Sequence, residues 1–71
     1  MKMNRLISII MLLLEHKTIS ASELARTFEV SKRTIYRDIE TINEAGIPII
    51  TFPGIKGGIG IMEEFKVDKR L

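Results

Sequence analysis

Hydrophobic positions along this 71-residue chain keep a helical period as far as residue 45 and then switch to short extended runs. In the first segment, 2 to 16, Leu6, Ile7, Ile10, Leu13 and Leu14 fall on one face, and Ile9, Met11 and Leu12 widen the stripe. Little of its middle is left polar. A helix apolar nearly all round is either deeply buried or covered in part by another chain or domain. Deep burial on every side is hard in so small a domain. Part of this helix is therefore expected to meet a partner surface.

Thr18-Ile19 predicts a very short extended segment, and Ser20-Ala-Ser-Glu23 then matches a capping box at the start of a second helix. Leu24, Ala25 and Phe28 form that helix's inward edge. Glu29-Val30 is the turn, with Val30 set to plug the space between helices. Ser31 can cap a third helix, although Thr34 rather than Glu follows three residues on, so the box there is incomplete. With Ile35 pointing inward, Ile39 and Ile42 share its side at i+4 and i+7. Arg33, Arg37, Glu40 and Glu44 then point outward, with Tyr36 on the flank. Ala45-Gly46 closes the helix and Pro48 prevents its continuation.

Beyond it, Ile47 to Phe52 predicts a strand, 53 to 58 a glycine-rich turn, and Ile59 to Met62 a returning strand. The expected fold is mainly α with a small β-hairpin: a three-helix winged helix-turn-helix over 1–62. Residues 63–71 make a mostly charged tail, expected to be extended or frayed, or the start of a linker to a further domain. At 45% hydrophobic but only 6% aromatic, the chain must build its core from Ile and Leu.

Charge gives the helices a direction. Residues 17 to 37 hold Lys17, Arg26, Lys32, Arg33 and Arg37 against Glu23 and Glu29. From 38 to 64, Lys56 stands alone against Asp38, Glu40, Glu44, Glu63 and Glu64. Two short helices joined by a brief turn, the second opening on bases, are how a chain places a helix in a DNA major groove. Ser31, Lys32, Arg33, Thr34, Tyr36 and Arg37 occupy the reading end of a recognition helix of about 31–44, and Arg can pair with guanine through two hydrogen bonds. Ser31 and the free N–H groups of the helix start suit a phosphate. Lys56 in a wing over 53–58 is available to the DNA backbone. Asp38 sits nearer the inward face and is expected to pair with a neighbouring helix, with Arg26 as the candidate partner; Glu40 is expected to be solvated.

Other chemistries find little support. With no cysteine there is no disulfide framework or thiolate metal site, and the lone His16 has no carboxylates clustered with it, so no metal and no cofactor are expected. His16 suits a cap or surface role, and no catalytic arrangement accompanies it. The glycines of 54 to 60 lack the Gly-Lys-Ser/Thr of a phosphate loop and the context of a dinucleotide fingerprint. Lys2 and Arg5 before the apolar run 6 to 14 superficially resemble a secretion signal, yet Glu15, His16 and Lys17 follow at once and Ser20-Ala-Ser22 is a poor cleavage site. That run is also too short to span a bilayer. A cytoplasmic, non-membrane, non-enzymatic protein is the expectation. The rival function is a winged helix used for protein–protein contact through the apolar first helix. RNA binding is disfavoured because Tyr36 is the one stacking aromatic in the basic segment.

Ile19-Ser-Ala-Ser-Glu-Leu-Ala25, Val30-Ser-Lys-Arg-Thr-Ile-Tyr-Arg-Asp-Ile39, Ala45-Gly-Ile-Pro48 and Gly57-Gly58 together resemble the N-terminal domain of bacterial WYL-domain transcriptional regulators. These are similar to DeoR-type repressors in their winged helix-turn-helix. The resemblance covers about 3 to 62, and Tyr36 fits WYL regulators better than DeoR proper, where a second arginine is usual. It implies that Ser31 to Arg37 read double-stranded DNA, that 53 to 58 form the wing, and that such a protein continues into a C-terminal ligand-sensing effector domain and often forms a homodimer. By the same resemblance the chain looks like an excised fragment or an abbreviated member. It departs from the family in lacking the DeoR His-Gly-Gly-Ala wing signature. Ile59 and Gly60 also stand where the family wing usually carries an aromatic and a basic residue.

Overall fold

The computed structural model describes residues 2–54 and 57–66. Three helices, α1 (Lys2–Glu15), α2 (Ala21–Phe28) and α3 (Lys32–Glu44), precede an antiparallel hairpin of β1 (Ile49–Phe52) and β2 (Gly58–Ile61), and a single helical turn, α4 (Glu63–Lys66), follows. The fold is a winged helix-turn-helix. The hairpin pairs Ile49 with Ile61 and Phe52 with Gly58. It is tied to the segment between α1 and α2 by reciprocal bonds: the Ile19 N–H donates to Ile59 at 2.9 Å and the Ile59 N–H to Ile19 at 2.8 Å. The extended Thr18-Ile19 segment thus serves as a one-residue third strand.

An aliphatic core lies where these elements meet: Ile9 and Leu13 from α1, Leu24 and Ala25 from α2, Ile35, Ile39 and Ile42 from α3, and Ile59 and Ile61 from β2. Phe28 and Val30 pack at its margin, so Val30 does fill the space beside the turn. Gly60 permits the close approach of β2 to the α1–α2 connection, since a Cβ there would lie 2.6 Å from the Lys17 carbonyl oxygen. Ile59 and Gly60, the two positions that depart from the family wing, are buried in this seam rather than displayed on the hairpin.

Four local expectations are revised. On α1 the inward direction is Ile9 and Leu13, with Leu6, Ile10 and Leu12 partly buried; Ile7, Met11 and Leu14 are 51%, 57% and 43% exposed. The width of the apolar stripe had hidden which edge faces the core. Strand β1 begins at Ile49 rather than Ile47, because the Gly46 and Ile47 N–H groups still close α3 on Asn43 and Ile42. Gly46 supports that closure with φ of 106°, a conformation costly for other residues. Strand β2 begins and ends one residue earlier than expected. Lastly, 63–66 is not extended: it forms α4, Phe65 packs against the core, and the Lys66 ammonium donates to the His16 carbonyl at 3.0 Å. Residues 67–71 lie outside the described residues. No helix among the described residues is long and apolar enough to cross a membrane.

Candidate nucleic-acid interface

The site is built on the α2–α3 corner. Ser20 caps α2, its Oγ accepting the Glu23 N–H at 3.0 Å. The return bond from Glu23 is not among the hydrogen bonds of the described residues, so the serine half of the box suffices here. Helix α2 stops at Glu29, which takes the left-handed conformation (φ 56°), unusual for a residue with a side chain. Its cost is offset by closing the last turn: the Val30 N–H donates to Ala25 at 3.0 Å and the Glu29 N–H to Arg26 at 3.3 Å. Ser31 then starts α3. Its Oγ accepts the Thr34 N–H at 3.1 Å and donates to Thr34 Oγ1, also at 3.1 Å. The incomplete box is replaced by a serine–threonine pair. Both ends of the turn are fixed by hydrogen bonds, so α3 leaves the corner in a defined direction.

With Ile35, Ile39 and Ile42 buried beneath it, α3 displays Lys32, Arg33, Tyr36 and Arg37 on its outer side, all exposed. Thr34 is half-buried and its hydroxyl is engaged by Ser31, which places it in the cap more than on the outer face. Among the described residues, Lys32, Arg33 and Arg37 make no side-chain ion pair. Glu40 is exposed, as expected. Lys56 lies outside the described residues.

Between the start of α3 and the hairpin runs an open cleft of about 330 Å³, lined by Lys32 and Tyr36 of α3, by Thr51, Phe52 and Pro53 of the hairpin, and by Ser20 and Ser22 at the start of α2. Tyr36 and Phe52 are both about half exposed. Sequence reasoning passed over Phe52 and the two serines. The available signal was an aromatic residue at the last position of a strand, just before a proline. The cleft offers a cation, hydroxyls and two aromatic faces to a ligand that is anionic and partly apolar, as a sugar–phosphate strand is.

Asp38 corrects an expectation. It is buried, at 1% exposure, but its partner is Arg5 of α1 and not Arg26, which is exposed in the last turn of α2. Arg5 donates through Nε to one carboxylate oxygen at 2.5 Å and through Nη2 to the other at 3.3 Å. That hydrogen bonding to Asp38 raises the guanidinium pKa above its ordinary value; desolvation opposes the shift and the attraction of the two charges adds to it. The pair spans 33 residues of sequence. The periodicity of α3 put Asp38 on the inner side, but nothing local to it identified the opposite charge.

Comparison with known proteins agrees with this geometry. The family described as "HTH domain" matches residues 5–60. The uncharacterized HTH-type transcriptional regulator YobV of Bacillus subtilis (strain 168) is 58% identical over 69 residues, which is 97% of this chain. The chain spans 22% of that relative's length. No solved structure matches.

Proposed function

The chain belongs to the HTH domain family, and from that premise we propose that it is the sequence-specific DNA-binding domain of a bacterial transcriptional regulator. The observation that carries this reading is the outer side of α3. Lys32, Arg33, Tyr36 and Arg37 stand exposed on a helix whose start is fixed by two capped ends and a tight turn. Arg33 and Arg37 are the base-reading candidates, with Tyr36 beside them for an apolar contact such as a thymine methyl. Lys32, Ser31 and the N–H groups at the start of α3 serve a phosphate. The cleft between α3 and the hairpin takes the sugar–phosphate strand that runs past the major groove, with Phe52 against its sugars. Lys56 is assigned to the same strand as a wing contact. The motifs over 19–58, Tyr36 among them, support the finer assignment to WYL-type regulators, and the greater length of the relative fits a regulator with a further domain.

Amide NMR with a short mixed-sequence duplex tests the reading. Shifts concentrated at 31–37 and 51–58 at low salt, reversed at higher salt, are the expected result, since phosphate contacts release counterions. A folded chain whose 31–37 amides do not respond would exclude DNA as the partner of α3.

A second reading concerns α1 and has its own observation. Ile7, Met11 and Leu14 recur at i, i+4 and i+7 and are exposed, which is the spacing of a helix seam. This face is offered to protein, either a second copy of the chain or another domain of a longer regulator. The two readings are compatible, because they use different helices.

A further inference from the structure

The inward side of α3 contains three isoleucines and one charge. Ile35, Ile39 and Ile42 hold the helix against the core, but apolar contact is non-directional, and three residues of one shape at i, i+4 and i+7 tolerate small rotations about the helix axis. Asp38 lies among them and is the buried charged residue of the described chain. Its carboxylate receives two N–H groups of one planar guanidinium, a geometry that fixes orientation as well as distance. Arg5 is itself held on α1, whose Ile9 and Leu13 are fully buried. Thus a directional link joins the frame of the domain to the helix that carries Lys32, Arg33 and Arg37.

We propose that Arg5 and Asp38 are positioning residues for DNA reading: the pair sets the rotation of α3 about its own axis and so aims Arg33 and Arg37 at base edges. This rests on the DNA-binding reading above. A functional side chain needs to be held to within roughly 10–20° of its productive direction. Arg33 and Arg37 are long, so a rotation of that order carries their tips out of register for paired hydrogen bonds while leaving them near phosphates. The pair therefore governs discrimination between sequences rather than attraction to DNA. Arg5 and Asp38 themselves touch no nucleic acid in this scheme.

The test separates aim from folding. Duplexes are first selected from a random pool by the wild-type 71-residue chain. Affinities for selected and scrambled duplexes are then measured across salt concentrations, with thermal melts, for wild type, Arg5→Lys and the double variant Arg5→Met with Asp38→Leu. Replacing a buried ion pair by apolar groups of similar volume commonly preserves folding. For the folded double variant, the expected result is unchanged affinity for scrambled duplex and an unchanged salt slope. Its preference for the selected duplex should fall by about tenfold or more, the loss of one paired base contact. Arg5→Lys keeps the charge but not the planar fork, and should lose about threefold in preference with the same salt slope. A folded double variant with wild-type preference overturns the proposal. Should that variant not fold, Arg5→Lys decides alone, and an unaltered preference overturns it equally. A wild-type chain that binds without selecting any sequence would overturn the DNA-reading function itself, and the positioning role with it.

Discussion

Helices α3 and α1 each present a face that the fold leaves uncovered, and the two faces have opposite chemistry. The outer side of α3 carries Lys32, Arg33 and Arg37 around one aromatic, Tyr36; the outer side of α1 carries Ile7, Met11 and Leu14. Neither contributes to the core. Exposed cations are ordinary on a protein surface and gain meaning only from where they are held, here at the start of a helix fixed by a turn. Exposed apolar residues are also ordinary when scattered. Three in one helical row are not, because water then contacts a continuous apolar strip that a partner would remove at about 25 cal/mol per Å². Under the proposed function, α3 is the face that meets charge and α1 the face that meets another apolar surface.

Breaking the charged face should give the largest effect. Arg33→Ala combined with Arg37→Ala is expected to lower affinity for a selected duplex by about 30-fold or more, each base-reading guanidinium accounting for roughly 1–3 kcal/mol. Melting temperature and sedimentation should stay at their wild-type values, since both side chains are exposed. Fluorescence anisotropy against one labelled duplex, alongside a thermal melt, measures both.

The apolar face should respond in the complementary way. Ile7→Glu with Met11→Glu leaves the core untouched, so its effect on stability should stay within about 0.5 kcal/mol per site. Any concentration-dependent association seen by analytical ultracentrifugation should disappear, while the affinity of one domain for a single site is retained. Affinity for a two-half-site duplex should fall wherever association had supported it. Loss of single-site binding in this variant would show that the two faces are not independent.

A smaller effect separates phosphate contact from base reading within α3. Lys32→Gln is expected to weaken selected and scrambled duplexes alike and to reduce the slope of log affinity against log salt by about one, the signature of one lost phosphate contact. An unchanged slope would move Lys32 off the DNA backbone.

The range of each interaction decides how much of the fold and of the site is legible in the sequence. The caps at Ser20 and Ser31, the closure at Gly46 and the inward row of Ile35, Ile39 and Ile42 are set by residues within about one or two helical turns, and periodicity with capping chemistry located them. The row of α1 is harder to read because eight of the nine positions from Leu6 to Leu14 are apolar, Ser8 being the exception, which erases the contrast from which a face is read. Arg5 with Asp38 was beyond local reasoning. Asp38 falls on the inward side of α3, but only the packing of α1 on α3 selects Arg5 over Arg26 as its partner. The helical turn at 63–66 was hidden for a related reason. Its composition is charged, and only the distant contacts of Phe65 with the core and of Lys66 with His16 give it a place to dock.

At Ser31, stability and the proposed recognition share one atom. Its Oγ caps α3 through the Thr34 N–H, and the same exposed position faces the proposed phosphate. Ser31→Ala should cost about 1 kcal/mol of stability through the lost cap and, with the cap gone, weaken DNA binding by a few fold. Ser31→Asp divides the two roles. Aspartate caps a helix as well as serine does, and its charge also suits the positive end of the helix dipole, so stability should return to the wild-type level or rise slightly above it. A carboxylate set against phosphate repels it, so affinity should fall below that of the alanine variant at low salt, with the gap narrowing as salt screens the charges. Denaturant unfolding and anisotropy would then rank the three proteins in different orders. If the aspartate variant instead recovers affinity together with stability, Ser31 acts on recognition through the cap alone and the phosphate lies elsewhere.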